Sequence, residues 1–475
     1  MQRRRFLQNL GWIAGGWMIS SYAPIKHLTA TGKKIKGHVL SNNKGVAGVV
    51  VSDGYSLVRT DKDGKYELEP HSDAVTLFIS TPPGFHFVNE NGIARHYRLL
   101  SEINKTKNIN FELQPLNQND DEHQFIIWAD PQVKNAKDVQ KMMEESVPDV
   151  QKLVSSLDAN TLIHGITVGD IVWDEQKHFA DYDKAVAQMG IPFFQCLGNH
   201  DMDYGKGGDE TSDDTFQQTY GPTYYSFNRG QIHYVVIDNV RYLGTERDYD
   251  GFIQQNQLDW LEKDISFVPK NKLIVLCLHI PVHKGTKNND ALYALLQGRE
   301  VHIMSGHTHY NVNAIKEHIY EHNHGAVCGA WWTGPICEDG TPCGYGVYKV
   351  KGKELSWYYK ATGKPDTYQM KIHIADYSSS EKQLIVNGWN YDLEWKTEYW
   401  VDGASKGALE SFEGFDPDAY KAMLGPDLPK PRGFAEPKKT RHLLKAIIPA
   451  DTKEIKVVAT DRFGKQYTET FNPVV

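Results

Sequence analysis

Five apolar runs in the middle of the chain each end in a residue that can bind a metal ion. Phe125 to Ala129 leads into Asp130, Leu162 to Gly169 into Asp170, Phe193 to Gly198 into Asn199, Leu273 to Leu278 into His279, and Val301 to Gly306 into His307, with His309 two positions on. Short apolar runs read as buried strands, and helical patterns lie between them over Val139 to Leu157, Phe179 to Met189 and Asn256 to Ile265. Strands alternating with helices predict an α/β layered domain, in which sites form outside the carboxyl ends of the strands. The runs therefore predict six side chains converging at one end of a sheet. A single polar residue at a strand end is common in loops and cores. The ordered set, with the strings Gly198-Asn199-His200-Asp201 and Gly306-His307-Thr308-His309 in it, is improbable as coincidence.

On both sides of this region the pattern changes. Residues 31–115 carry short alternating runs, Ile35 to Leu40, Val46 to Val51, Thr76 to Ile79 and Ile109 to Leu113, separated by turn residues, which predicts a small N-terminal antiparallel β-sandwich. The phrase Gly48 to Gly54 followed by Thr60-Asp61-Lys62-Asp63-Gly64-Lys65-Tyr66 resembles prealbumin-like domains. Asp53, Asp61 and Asp63 admit a calcium reading, but turn geometry alone favours Asp-x-Asp-Gly. A polar linker over 116–121 precedes the α/β region, which spans 122–360. Beyond Gly363-Lys364-Pro365 strand patterns return, interrupted by a Gly- and Pro-rich stretch over 414–437, and predict a C-terminal β-rich domain over 366–475.

The net charge of −8 supplies no field for holding a polyanion, so no nucleic acid polymer is expected as partner. No apolar run after the N-terminus reaches membrane-spanning length, so no transmembrane segment is expected in the mature chain. Residues 1–30 read as a signal peptide: Arg3-Arg4-Arg5-Phe6-Leu7 and the glycine-diluted stretch Leu10 to Ile19 resemble a twin-arginine signal, with an ordinary secretory signal as the alternative. A periplasmic or otherwise exported location is the expectation, and a route that carries folded cargo suits a protein that takes up metal first. The five cysteines form no CxxC pair, which excludes a zinc ribbon or thioredoxin-type site. Cys196 and Cys277 read as buried thiols; Cys337 and Cys343, flanking a turn, read either as structural thiols or as a small disulfide.

Residues 124–310 resemble the calcineurin-like metallophosphoesterase family, whose motifs run D-x-H, GD, GNH-D/E, H and GHxH in that order. Tyr220 to Phe227 and Leu258-Asp259-Trp260-Leu261 resemble further phrases of that family. The resemblance implies a layered sandwich of central β-sheets flanked by helices, and a phosphatase or phosphodiesterase with two divalent metal ions (Mn, Fe, Zn or Ni). By position, Asp130 and His309 would hold the first metal, Asn199, His279 and His307 the second, and Asp170 would bridge them. Oxygen and imidazole donors without thiolates suit such ions. A hydroxide between the ions would attack a phosphate mono- or diester. His200 would donate a proton, with Asp201 orienting its ring. The first motif departs from the pattern, reading Asp130-Pro131-Gln132; a Gln132 carbonyl can ligate, but more weakly than histidine. Residues 171–174 lack the tyrosine of purple acid phosphatases. Trp331-Trp332 reads equally as a pocket wall or as core. The expected substrate is a phosphorylated small molecule or an envelope-derived phosphoester. The competing reading is a non-catalytic envelope- or glycan-binding protein with a degraded phosphoesterase domain.

Overall fold

In the strand Glu122–Trp128 (β1), Phe125 and Ile127 point into one core while Ile126 and Trp128 point into another, so both faces are buried. This is the two-sided apolar pattern of a strand inside a layered α/β domain. The structure, a computed structural model, describes residues 34–103, 108–425, 428 and 432–473. The signal-peptide reading of residues 1–30 lies outside them. All described residues belong to one compact unit.

The α/β region holds two sheets face to face. In the first, β1 pairs in parallel with Ile163–Val168 (β2), and β2 with Phe193–Cys196 (β3). Gly344–Lys351 and Glu354–Ala361 extend it antiparallel beyond β1. In the second, Leu273–Cys277 (β4) and Val301–Ser305 (β5) run parallel between Ile232–Val236 and Ile319–Asn323. The sheets meet through aromatic rings: Phe194 stacks on Phe227 at 3.8 Å and Phe125 meets Tyr234 edge-on at 5.4 Å. Each such fully buried ring contributes about 1.5–3 kcal/mol over an exposed one. Helices Val147–Ser155 and Phe179–Met189 pack on the outer face of the first sheet, and Gln255–Ser266 and Asn289–Leu296 join the core around the second. The α/β layered sandwich with β-rich flanks is thus the observed fold.

Two details differ from the sequence pattern. The helix expected over 139–157 is instead Ala136–Lys141 and Val147–Ser155 joined by a π-helical turn, Met142–Ser146. Pro148, at the start of the second piece, has no N–H to continue the ladder, and the Val147 N–H reaches back five residues to Met142. The N-terminal segment does more than form its own two four-stranded sheets: Ile93 pairs in parallel with Phe193, adding the hairpin Asn89–Glu90 and Ile93–Ala94 to the edge of the first sheet. In that segment the Asp61 carboxylate accepts from the Asp63 and Lys65 backbone N–H groups at 2.9 Å, the turn role of such aspartates. The C-terminal strands form two further four-stranded sheets. Among the described residues no helix is long and apolar enough to cross a membrane.

Candidate metal centre

The residues that follow β1 to β5 meet at one end of the two sheets. Glycines allow this closeness. A Cβ on Gly198 would lie 1.9 Å from the Asp170 nitrogen, and one on Gly306 would lie 2.5 Å from Asp130 Oδ2, so each ligand-bearing turn needs a residue without a side chain just before it. The backbone is also held in an uncommon state. Of the fifteen non-glycine residues with positive φ among the described residues, eight are Asp130, Gln132, Asp170, Asp174, His307, His309, Trp331 and Trp332. Such conformations cost of order 1–3 kcal/mol each and persist only where the surroundings fix them, which marks this end of the sheets as the functional one.

Six side chains converge there. His279 Nε2 lies 3.1 Å from Asn199 Oδ1, 3.2 Å from Asp170 Oδ1 and 3.1 Å from His307 Nδ1. Asp130 accepts from the His307 backbone N–H at 2.9 and 3.0 Å, and its Oδ1 lies 3.7 Å from His309 Nε2. The imidazoles are turned by carbonyl oxygens behind them. His279 Nδ1 donates to Val168 O at 2.9 Å and His309 Nδ1 to Gly329 O at 2.6 Å, which leaves both Nε2 atoms facing the cluster. Asp130, His279 and His309 are almost wholly buried.

The arrangement fits divalent cations. Around His279 Nε2 the facing atoms are a carboxylate oxygen, an amide oxygen and a second ring nitrogen, an acceptor-rich set that needs a positive charge: either the proton that Asp170 holds on His279 against burial, raising it to about 9, or a divalent cation in its place. Burial, with the His279 charge beside it, pushes the His307 imidazole down to about 3, and burial pushes His309 down to about 4, so both stay in the neutral form that ligates metal. Burial also raises the Asp130 carboxyl. At Asp170 burial works in the same direction but the charges of His279 and His200 outweigh it and hold the carboxyl below its usual range. The ligating atoms of Asp170, His279 and His307 all lie within 4.8 Å of one another.

The sequence signature described as calcineurin-like phosphoesterase matches residues 121–311, and those of the N terminal and C terminal of calcineurin-like phosphoesterase match residues 33–116 and 321–467. The chain belongs to the calcineurin-like phosphoesterases. It is a metal-dependent phosphoric ester hydrolase. No curated protein matched it. Among solved structures it is similar to a dimetal phosphatase from Danio rerio (12% identity, 50% of this chain and 97% of that one, TM-score 0.37). It is similar also to a purple acid phosphatase from yellow lupin seeds, Lupinus luteus (13%, 76% and 69%, TM-score 0.32). A third is a putative 5'-nucleotidase from Staphylococcus aureus (13%, 51% and 54%, TM-score 0.32). At these TM-scores nothing about activity follows from the likenesses.

Around the cluster of this phosphoesterase, three placements differ from the sequence reading. The ring of His200 is oriented by Asp174, whose Oδ1 lies 2.8 Å from His200 Nδ1 and whose Oδ2 lies 2.9 Å from Arg247. Asp201, expected in that role, turns inward: its two oxygens accept from the Val172 and Gly198 backbone N–H groups at 3.0 and 2.9 Å, stapling the second motif to the third. Gln132 donates its amide N–H to Asp170 Oδ2 at 3.1 Å, while its Oε1 lies 4.0 Å from the Cys328 thiol. In this arrangement Gln132 steers Asp170 with its N–H; a cation between the two would be met by the amide oxygen instead. Cys337 and Cys343 are free thiols, each pointing to a different carbonyl, Ala326 and Gly334. The two tryptophans divide the roles the sequence left open. Trp332 is buried and donates to Pro131 O at 2.9 Å, whereas Trp331 stacks on His309 at 4.5 Å. Asp174 was missed although it stands four residues after Asp170 in the same motif.

Proposed function

We propose that this phosphoesterase hydrolyses a phosphate mono- or diester of a small molecule with two divalent ions held by Asp130, Asp170, Asn199, His279, His307 and His309. The observation that carries this reading is the set of lone pairs facing His279 Nε2 from Asp170, Asn199 and His307. When bound, two such ions activate the water shared between them at neutral pH and neutralise charge on the phosphoryl oxygens. The protein's own groups do the rest. Asp170, reaching toward both His279 and Gln132, is placed to join the two halves of the site. His200, partly exposed beside the cluster, delivers a proton to the leaving oxygen; burial lowers its pKa, but Asp170 and Asp174 outweigh burial and raise it, which favours the protonated form. Manganese, iron, zinc and nickel all suit these oxygen and imidazole donors.

A decayed, non-catalytic site would have lost more than one ligand, and here the departure is confined to Gln132. The deciding experiment measures bound metal and the hydrolysis of aryl phosphate mono- and diesters by the purified protein. Absence of both metal and turnover with every divalent ion tried would sink the proposal. Export by a twin-arginine route is part of the same reading, resting on Arg3-Arg4-Arg5-Phe6-Leu7. Replacing Arg3 and Arg4 together by lysine should leave precursor in the cytoplasm, and normal processing of that variant would favour the general secretory route.

A further inference from the structure

Three rings from three separate parts of the chain, Trp173, Phe434 and Trp331, form a continuous arc from His200 to His309. Trp173 meets His200 edge-on at 5.5 Å, Phe434 meets Trp173 at 5.6 Å and Trp331 at 5.0 Å, and Trp331 stacks on His309 at 4.5 Å. Phe434 comes from the C-terminal β-rich region and is held on purpose-built contacts. Two residues before it, the buried Arg432 pairs with Asp138 at 2.7 Å and also donates to Trp331 O. Two residues after it, the Glu436 N–H donates to Glu338 at 3.2 Å. Despite this anchoring Phe434 is 53% exposed. A phenyl ring fixed by a buried ion pair and yet left open to water buries little of its own area, so its position serves something that arrives from outside. Trp173 already carries two cations, Lys134 Nζ at 4.3 Å and the Arg432 guanidinium at 5.0 Å from its ring centre. The open ring in the arc is therefore Phe434.

We infer that this arc is the leaving-group subsite, and that the phosphoester substrate carries a planar aromatic group which stacks on Phe434. The inference rests on the proposed phosphoester hydrolysis for the direction of the leaving group. His200 protonates the departing oxygen, so the group attached to that oxygen extends along the rings beside His200. A flat apolar group there covers the exposed Phe434 face and prefers the offset or edge-on ring packing that the arc itself already shows. Lys134, exposed at the Trp173 end, adds a positive charge where a substrate with further anionic or π-rich groups gains from it.

The test compares 1-naphthyl phosphate with ethyl phosphate in the metal-loaded full chain, in wild type, Phe434→Ala and Phe434→Trp. Loss of one stacking partner raises KM for the naphthyl ester about tenfold in Phe434→Ala. KM for the ethyl ester stays within about twofold, and Phe434→Trp restores naphthyl binding. Equal changes for both esters, or none, overturn the subsite. A readout independent of turnover is binding of 1-naphthyl phosphonate followed by tryptophan fluorescence. Weaker binding by Phe434→Ala alone supports the subsite even if the proposed hydrolysis fails; identical binding by wild type and Phe434→Ala overturns it even if hydrolysis is found.

Discussion

His200 Nδ1 lies 2.8 Å from Asp174 Oδ1, and that carboxylate is itself held by Arg247 at 2.9 Å. The pair fixes which face of the imidazole looks toward the cluster and keeps its proton on the side away from Asp174 available for transfer. Asp174 is thus a positioning residue. Asp174→Asn should lower kcat about ten- to a hundredfold, the usual effect of altering a group that orients a catalytic imidazole, with bound metal unchanged. His200→Ala should lower it roughly a hundredfold or more, again with metal retained. Steady-state kinetics with metal analysis of both variants decides this. Metal loss in His200→Ala would make His200 a ligand, and a fully active Asp174→Asn would remove the orienting role.

Asp170 accepts from the His200 backbone N–H at 2.9 Å and from Gln132 at 3.1 Å, and lies against His279 at 3.2 Å, so this one carboxylate ties together residues of the first, third and fourth motifs. Asp170→Asn keeps the size but replaces one oxygen by a donor. It should abolish activity and empty at least one metal position, because an amide cannot share two cations as a carboxylate does. Two retained metals with near-normal turnover would contradict the assignment.

The core between the two sheets holds histidines kept neutral by burial. Burial, helped by the Arg95 charge, pushes His96 down to about 3, burial pushes His123 down to about 4, and burial with Arg462 pushes His302 down to about 3. In the unfolded chain each titrates near 6.5, so between that value and its folded pKa the unfolded state binds more protons. Stability is therefore complete above about pH 6.5 and falls as pH is lowered through the window down to the folded values. At pH 5 each group costs about 2 kcal/mol relative to neutral pH. Denaturant midpoints at pH 7 and pH 5 should differ accordingly. His96, whose two ring nitrogens have no hydrogen-bond partner among the described residues and which lies among Phe78, Tyr97, Phe194 and Tyr225, is the cleanest test. His96→Phe should narrow the gap between the two pH values, and an unchanged gap would show that His96 is not part of the acid response.

What the sequence made legible were features fixed by residues next to one another. Asp170, Asn199, His279 and His307 each end an apolar run and follow it within a few residues, and Gly169, Gly198 and Gly306 stand before three of them. What it hid depends on distance along the chain or on backbone conformation. Asp174 meets His200 from a left-handed backbone with φ of +58°, which no sequence pattern announces. Phe434 reaches Trp173 through an Arg432–Asp138 pair that joins residues 294 positions apart. The hairpin of Asn89–Glu90 and Ile93–Ala94 is too short to show a strand period, yet it extends the first sheet. Gln132 was legible as a departure from the family motif, but the direction of its amide was not.

That direction sets the last prediction. With its N–H turned to Asp170, Gln132 offers no lone pair, so the Asp130 and His309 side of the centre has fewer donors than the side built from Asn199, His279 and His307. Imidazole is also a stronger donor to first-row ions than a carboxamide oxygen, so even a rotated Gln132 would leave that side the weaker. The isolated protein should hold one metal tightly, lose the other readily, and regain activity on addition of manganese or a similar ion. Gln132→His should correct the imbalance. The φ of +43° at this position is one that histidine adopts more readily than most residues, so the backbone can stay as it is. The weaker site should tighten about ten- to a hundredfold, the range seen when groups that tune a metal site are changed. Calorimetric titration of metal into the wild type and the variant reads both sites at once. Two equally tight sites in the wild type, or no change on substitution, would show that Gln132 acts on Asp170 alone and does not set metal affinity.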